Sequence, residues 1–141
     1  MTKTRSPVPI KVVTVDDSQL IAERLQTLLS ELEGVQFLGN ARNIASALRL
    51  INDQKPNVVM LDIHLEDDAP LGNGMTLIPP LRKTYPDMKI IMLTNLTGDY
   101  YQTKCLSMGA HYFFDKTNDF NKIPETLRKI PNNAEKIVGI E

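Results

Sequence analysis

The feature of this sequence that most restricts its fold is the alternation of short apolar runs with helical patterns. Most of the runs are continuous apolar stretches, which is typical of strands buried on both faces of a sheet. Strands joined by helices require right-handed crossovers onto a parallel sheet covered on both sides. The sequence therefore predicts an α/β fold, a doubly wound sheet of five parallel strands with five helices. The predicted strands are IKVVTV (10–15), QFLGNA (36–41), NVVMLD (57–62), KIIMLT (89–94) and HYFFDK (111–116).

Capping residues and prolines mark the limits of the predicted helices. In the first helix, Ser18 is a candidate N-cap and Gly34 the expected end. Pro79 and Pro80 should shorten or kink the third helix, and Pro124 should lie in the first turn of the fifth. The helical patterns cover residues 18–34, 43–54, 74–86, 98–109 and 119–130. The expected core stripe of the first helix is Leu20, Ile21, Leu25, Leu28, Leu29 and Leu32.

Length and charge limit the classes of function. The 141 residues suit one domain, which we expect over residues 8–130, after a flexible lead (1–7) and before a short tail (131–141) with no output domain. A net charge of -1 gives no basic excess for nucleic acid or an anionic membrane. No apolar run approaches 18 residues, and the single cysteine, Cys105, is expected to serve packing in a reducing cytoplasm.

Acidic and polar residues stand at the ends of four predicted strands. Asp16 and Asp17 follow the first strand, Asp62 ends the third, Thr94 ends the fourth, and Lys116 ends the fifth. The carboxyl ends of parallel strands form the ligand site of such sheets, so these side chains should gather in one pocket. Crowded carboxylates need a cation, and Mg²⁺ prefers oxygen ligands of this kind. The lysine and the hydroxyl would suit phosphoryl oxygens, and Asp62 could be the nucleophile that receives the group.

Each of these residues also has an ordinary structural interpretation. Asp16 or Asp17 alone would more often cap a helix, and Thr94 or Lys116 alone would be a strand-end hydroxyl or a solvated charge. Their joint occurrence at four strand ends favours a site.

The segments VDDSQ, MLDIHL, IMLTN and FFDKT, in this order, resemble the receiver domain of response regulators in two-component phosphorelays, of the single-domain, chemotaxis-regulator-like kind. The resemblance covers about residues 8–130. It implies a flavodoxin-like sheet of order 2-1-3-4-5. It also implies that Asp62 is the phosphoacceptor, and that Mg²⁺ (or Mn²⁺) binds Asp17 directly, Asp16 through water and the backbone carbonyl of His64.

The same resemblance assigns a conformational switch. It implies that Thr94 swings toward the phosphoryl group, that Lys116 contacts that group, and that Phe113 is an aromatic switch turning from exposed to buried. The chain would be a phosphoacceptor protein and not an enzyme, beyond self-phosphorylation from small donors and autodephosphorylation.

Three segments depart from the family pattern. Thr117 follows Lys116 where proline is common, which disfavours a cis peptide bond. Asn95 follows Thr94 where a small residue is usual. The loop EDDAPLGN (66–73), which carries Glu66, Asp67 and Asp68, is longer than usual and is expected to be solvated.

Two other classes of function remain open from the residues. A haloacid-dehalogenase-like enzyme also phosphorylates a strand-end aspartate, but its motif has a second aspartate where this chain has His64. A phosphate-independent binding module with a receiver fold normally lacks one of the site residues, and all are present here.

The resemblance also implies partners. A histidine kinase or phosphotransfer protein would act upstream, and an unidentified protein downstream, with the chain a monomer or weak homodimer. The expected output surface is the fourth helix, fifth strand and fifth helix, with Tyr100, Tyr101, Gln102, Lys104 and Lys122 as candidates for exposure.

Overall fold

The computed structural model describes residues 8–65 and 73–131. Its strands are β1 (Ile10–Val15), β2 (Val35–Ala41), β3 (Val58–Leu61), β4 (Lys89–Thr94) and β5 (Tyr112–Asp115). They form one sheet of order β2-β1-β3-β4-β5, and every neighbouring pair is parallel. The predicted fold class, strand number and strand order are confirmed. Because β3 and β5 are each one residue shorter at both ends than predicted, Asp62 and Lys116 lie just beyond the strands.

The helices are α1 (Gln19–Ser30), α2 (Ile44–Gln54), α3 (Ile78–Thr84), α4 (Asp99–Met108) and α5 (Ile123–Lys129). Short 3₁₀ turns, Gly74–Leu77 and Phe120–Lys122, precede α3 and α5. The prolines at the start of α3 and α5 occupy first-turn positions, where a missing N–H breaks no helical hydrogen bond. No helix in the two described ranges is both long enough and apolar enough to cross a bilayer.

The sheet separates two apolar cores because alternate strand residues point to opposite faces. Val13, Val59 and Ile90 belong to the core that includes residues of α2, α3 and α4. Val12 and Ile91 belong to the core that includes residues of α1 and α5. Burial on both faces explains why the central strands are continuously apolar in the sequence.

Helix α1 differs from its prediction in one of its core residues and in its C-terminal end. Leu25 and Leu29 are buried as expected, but Leu20 is 67% exposed. Leu20 lies nine residues before Leu29, about 180° around the helix, so it faces away from the core. The helix ends at Ser30 rather than near Gly34, which instead lies just before β2 with φ +81. The prediction of Ser18 as N-cap is confirmed, because its side chain accepts a hydrogen bond from the Ile21 N–H. The predictions of Leu20 as a core residue and of Gly34 as the end of the helix are wrong.

Candidate functional site

The carboxyl ends of four strands bring the predicted residues to one place. Asp17, Asp62, Thr94 and Lys116 line a single cavity of about 300 Å³, together with His64. Each follows or ends an apolar strand, so the buried backbone of the sheet carries the polar side chains to its edge. The structure therefore places the predicted residues of all four strand ends together.

Three carboxylates form the acidic part of the site. Oxygen atoms of Asp16, Asp17 and Asp62 lie within 4.8 Å of one another. Asp16 and Asp62 are buried, and Asp17 is half-buried. A set of carboxylate oxygens at this separation fits Mg²⁺, which binds through one or two carboxylates and keeps several waters.

Lys116 bridges two of these acids. Its Nζ lies 2.7 Å from Oδ2 of Asp16 and 2.7 Å from Oδ2 of Asp62. Burial alone would lower the pKa of Lys116, but the hydrogen bonds to the two carboxylates outweigh it and raise that pKa above its ordinary value. For Asp16, burial is the largest effect and raises the pKa of the carboxyl group. The hydrogen bonds from Lys116 and from the Ser18 N–H, which donates to Oδ1 at 2.8 Å, lower that pKa but do not outweigh burial. The lysine supplies the positive charge that allows two acids to be buried side by side.

Thr94 and Phe113 lie on adjacent strands but in different surroundings. Thr94 is fully buried at the end of β4, and its Oγ1 accepts a hydrogen bond from the Leu96 N–H at 3.1 Å. Phe113 is half-buried and packs against the core on the α2, α3 and α4 side of the sheet. The expected starting position of the switch is an exposed Phe113 ring. In this structure the ring is only partly exposed.

The loop after β5 holds its shape without the usual proline. Asp115 accepts a hydrogen bond from the Thr117 N–H at 2.7 Å, and Asp119 accepts one from the Asp115 N–H at 2.9 Å. No cis peptide bond occurs in residues 8–65 and 73–131, which confirms the expectation for Lys116–Thr117. These side-chain bonds flank Lys116 on both sides and restrain the loop that carries it.

The other two departures are less informative. Asn95 is exposed and lines the cavity. The acidic residues Glu66, Asp67 and Asp68 lie outside the described ranges. The side chain of His64 is exposed, and only its backbone carbonyl was assigned a role.

Sequence analysis missed two residues at this site. Gly74 packs so tightly beneath the phosphoacceptor candidate that a Cβ there would overlap the carbonyl oxygen of Asp62. Its N–H also donates to the carbonyl of Ile63 at 2.7 Å. Asn40 on β2 donates a hydrogen bond to the carbonyl of Asp16. A glycine close after the acidic loop was a weak signal for the first, and the sequence carried none for the second.

Comparison with protein families identifies the family of the chain. The model for the response regulator receiver domain matches residues 12–128. The chain belongs to this family. Receiver domains of two-component systems are phosphorylated on an aspartate and bind Mg²⁺ at an acidic pocket. They act between histidine kinases or phosphotransfer proteins and downstream effectors.

Individual receivers resemble this chain over most of its length. A protein-glutamate methylesterase/protein-glutamine glutaminase of Carboxydothermus hydrogenoformans is 37% identical over 84% of this chain and 34% of its own length. The beryllofluoride-activated receiver domain of RstA from Klebsiella pneumoniae is 28% identical with a TM-score of 0.75, covering 85% of this chain and 97% of that one. A response regulator from Burkholderia pseudomallei, solved with a phosphorylated aspartate and calcium, is 26% identical with a TM-score of 0.72, covering 92% and 71%.

The curated relatives are longer than this receiver. The chain spans between 34% and 58% of the length of those it matches. Most are response regulators, and the methylesterase of Carboxydothermus hydrogenoformans matches over only about a third of its length. The chain therefore belongs to the receiver family and not to the haloacid-dehalogenase-like enzymes.

Proposed function

We propose that this receiver accepts a phosphoryl group on Asp62 from a phosphohistidine donor, in a Mg²⁺-dependent reaction, and changes conformation to control a partner protein. The observation that carries the proposal is the buried Asp62 carboxylate, grouped with Asp16 and Asp17 and bonded by Lys116. An acidic nucleophile next to a cation site and a lysine suits aspartyl-phosphate chemistry. The phosphorylated aspartate in the Burkholderia relative supports the same assignment.

The residues of the site would divide the reaction between them. An Asp62 oxygen forms a bond to phosphorus as the phosphorus–nitrogen bond of the donor breaks. Asp16, Asp17, Asp62 and the His64 carbonyl would hold Mg²⁺, which supplies positive charge beside the phosphoryl oxygens. Lys116 already lies within hydrogen-bonding distance of Asp62 and would donate to a phosphoryl oxygen attached there.

Thr94 would couple the chemistry to the fold. Its oxygen accepts from the Leu96 N–H in this structure, so its own O–H can donate to a phosphoryl oxygen. Movement of that hydroxyl toward Asp62 would open space beside β5, and Phe113 would turn further inward. The shift is a two-state change biased by contacts that exist only with the phosphoryl group.

The output surface would be the face formed by α4, β5 and α5. Tyr100 is 69% exposed there, and Gln102, Lys104 and Lys122 are exposed as expected. Tyr101 is half-buried against the core, so the prediction of its exposure holds only in part. Aromatic side chains of this kind favour a protein partner.

Intact-mass measurement after incubation with acetyl phosphate and Mg²⁺ tests the proposal. The unaltered chain should gain one phosphoryl group, while Asp62→Asn should gain none. Asp53→Asn, which alters an exposed aspartate on α2, is the matched control and should behave like the unaltered chain. Equal phosphorylation of Asp62→Asn would overturn the assignment. A chain that gains no phosphoryl group from any donor would instead be the phosphate-independent binding module.

A further inference from the structure

The side chain of Asn40 joins a buried hydroxyl to the backbone of the acidic pair. Thr14, which is fully buried, donates its hydroxyl hydrogen to Oδ1 of Asn40 at 2.7 Å. The Asn40 amide nitrogen donates in turn to the carbonyl oxygen of Asp16 at 3.1 Å. A carbonyl can only accept, so the amide nitrogen must face Asp16, and the amide oxygen then faces Thr14. The Asp16 carbonyl thus determines the orientation of Asn40, and the Thr14 hydroxyl donates to the amide oxygen that faces it.

This link continues the pairing of β1 and β2 beyond its last backbone bond. Thr14 pairs with Asn40 in the register, and the ladder ends where the Asp16 N–H donates to the carbonyl of Ala41 at 2.9 Å. Beyond that bond, the carbonyl oxygen of Asp16 accepts a hydrogen bond from the side chain of Asn40. Because the peptide group is planar, a hydrogen bond to this carbonyl also restrains the N–H and Cα of Asp17. Asn40 therefore restrains the peptide plane that joins the two acids.

We propose that Asn40 is a positioning residue for the acidic pair, holding the peptide between Asp16 and Asp17 so that both carboxylates face one divalent cation. The inference rests on the proposed function of the site, in which these acids hold Mg²⁺. In this role Asn40 would contact neither the cation nor the phosphoryl group. It acts through the backbone of Asp16, and Thr14 acts through Asn40.

Three substitutions separate the parts of this link. Asn40→Leu removes both hydrogen bonds while keeping a side chain of similar size. Thr14→Val removes only the hydroxyl that donates to Oδ1 of Asn40, and Thr14→Ser retains it. Residues that support metal ligands from outside typically change metal affinity by 10-fold or more. We therefore expect the dissociation constant for Mg²⁺ to rise about 10-fold in Asn40→Leu and by a smaller factor in Thr14→Val, with Thr14→Ser close to the unaltered chain.

Asn57, which directly precedes β3, provides a matched control at the amino end of β1. Its Oδ1 accepts a hydrogen bond from the Lys11 N–H at 2.8 Å, and like Asn40 it is half-buried. Asn57→Leu should lower stability toward urea by removing a comparable bond. It should leave Mg²⁺ affinity unchanged, because its bond to Lys11 lies at the amino end of β1, whereas the site lies at the carboxyl end.

The experiment is a Mg²⁺ titration of the full chain by NMR, combined with the metal-free amide chemical shift of Asp17. A positioning role predicts that Asn40→Leu shifts the Asp17 amide before any metal is added and weakens Mg²⁺ binding. Phosphorylation by acetyl phosphate should recover largely at saturating Mg²⁺. An unmoved Asp17 amide or unchanged Mg²⁺ affinity in folded Asn40→Leu would overturn the inference. If that variant does not fold, the comparison of Thr14→Val with Thr14→Ser decides it.

Failure of the proposed function would have a different signature. The unaltered chain would then neither bind Mg²⁺ nor gain a phosphoryl group. Failure of the Asn40 inference alone would leave both properties intact in the unaltered chain and in Asn40→Leu.

Discussion

The ammonium group of Lys116 lies 2.7 Å from Oδ2 of Asp62, and both side chains are buried. Asp16 lies at the same distance from that ammonium group. The buried ammonium group of Lys116 is thus paired with two buried carboxylates. Removal of one charged partner from such a group leaves a buried charge uncompensated. The stability of the metal-free site and its affinity for cations should therefore both depend on Lys116.

Lys116→Met should destabilise the protein by about 3 kcal/mol in metal-free buffer, because Asp16 and Asp62 lose their counter-charge. Added Mg²⁺ should stabilise this variant more than the unaltered chain, since a divalent cation can compensate the same acids. Urea unfolding with and without Mg²⁺ measures both effects. Lys122→Met is the control, because Lys122 pairs with Asp119 at the surface and such pairs contribute at most about 1 kcal/mol. Equal losses in the two variants would contradict the expectation.

Gly74→Ala should damage the site through the backbone of the phosphoacceptor. The added methyl group would overlap the carbonyl oxygen of Asp62, so β3 or the 3₁₀ turn must move, at a cost of about 1–3 kcal/mol. Phosphorylation by acetyl phosphate should slow as Asp62 is displaced. Gly34→Ala strains a positive φ with open space around it, far from the site. It should lose stability yet keep its phosphorylation rate, and a normal rate in Gly74→Ala would refute the argument.

Saturation with beryllofluoride and Mg²⁺ should bury Phe113 more deeply. Ring signals of Phe113, followed by NMR, should move toward a more shielded environment as Thr94 turns toward Asp62. Thr94→Val keeps the shape of the side chain but cannot donate a hydrogen bond. In that variant the Phe113 signals should change little, although beryllofluoride still binds. Identical responses in both proteins would separate Phe113 from the Thr94 hydroxyl.

The thiol of Cys105 should be unreactive in the native protein. Cys105 is fully buried within α4, and burial raises its pKa to about 11, so the reactive thiolate is scarce below that pH. Alkylation by iodoacetamide at pH 8, followed by mass spectrometry, should label the urea-unfolded chain and not the folded one. Cys105→Ser should remain unlabelled in both states. Rapid labelling of the folded chain would show that α4 opens readily.

Asp119 should contribute stability that is lost in acid. The hydrogen bond from the Asp115 N–H, and then the pairing with Lys122, lower the pKa of Asp119. A lowered pKa in the folded state means that its contribution is present above the ordinary pKa of 3.8 and disappears as pH falls through the folded pKa. Urea unfolding should show Asp119→Asn to be less stable than the unaltered chain at pH 6, with the gap closing as pH falls below 3.8 and through the lowered pKa. A gap that is independent of pH would exclude ionisation as its cause.

The sequence by itself determined the strands, their order of appearance and the residues at their ends. Short, continuous apolar runs rich in β-branched residues, such as VVML, are typical of strands buried on both faces of a sheet, so the strand pattern followed from the order of residues. Parallel strands then present their carboxyl ends at one edge, which is why the sequence alone places Asp62, Thr94 and Lys116 together. The four-part motif added the family and with it the strand order.

Only the tertiary structure decided which atoms meet. The exposure of Leu20 depends on how α1 rotates against the sheet, and a stripe of leucines is compatible with more than one rotation. The contact of Gly74 with Asp62 and the link from Asn40 to Asp16 join segments whose separation is set by loops and register. Local propensity and periodicity report on neighbours a few residues apart, whereas these contacts arise from packing between distant segments. That is the physical reason why the site could be located from the sequence but its supporting residues could not.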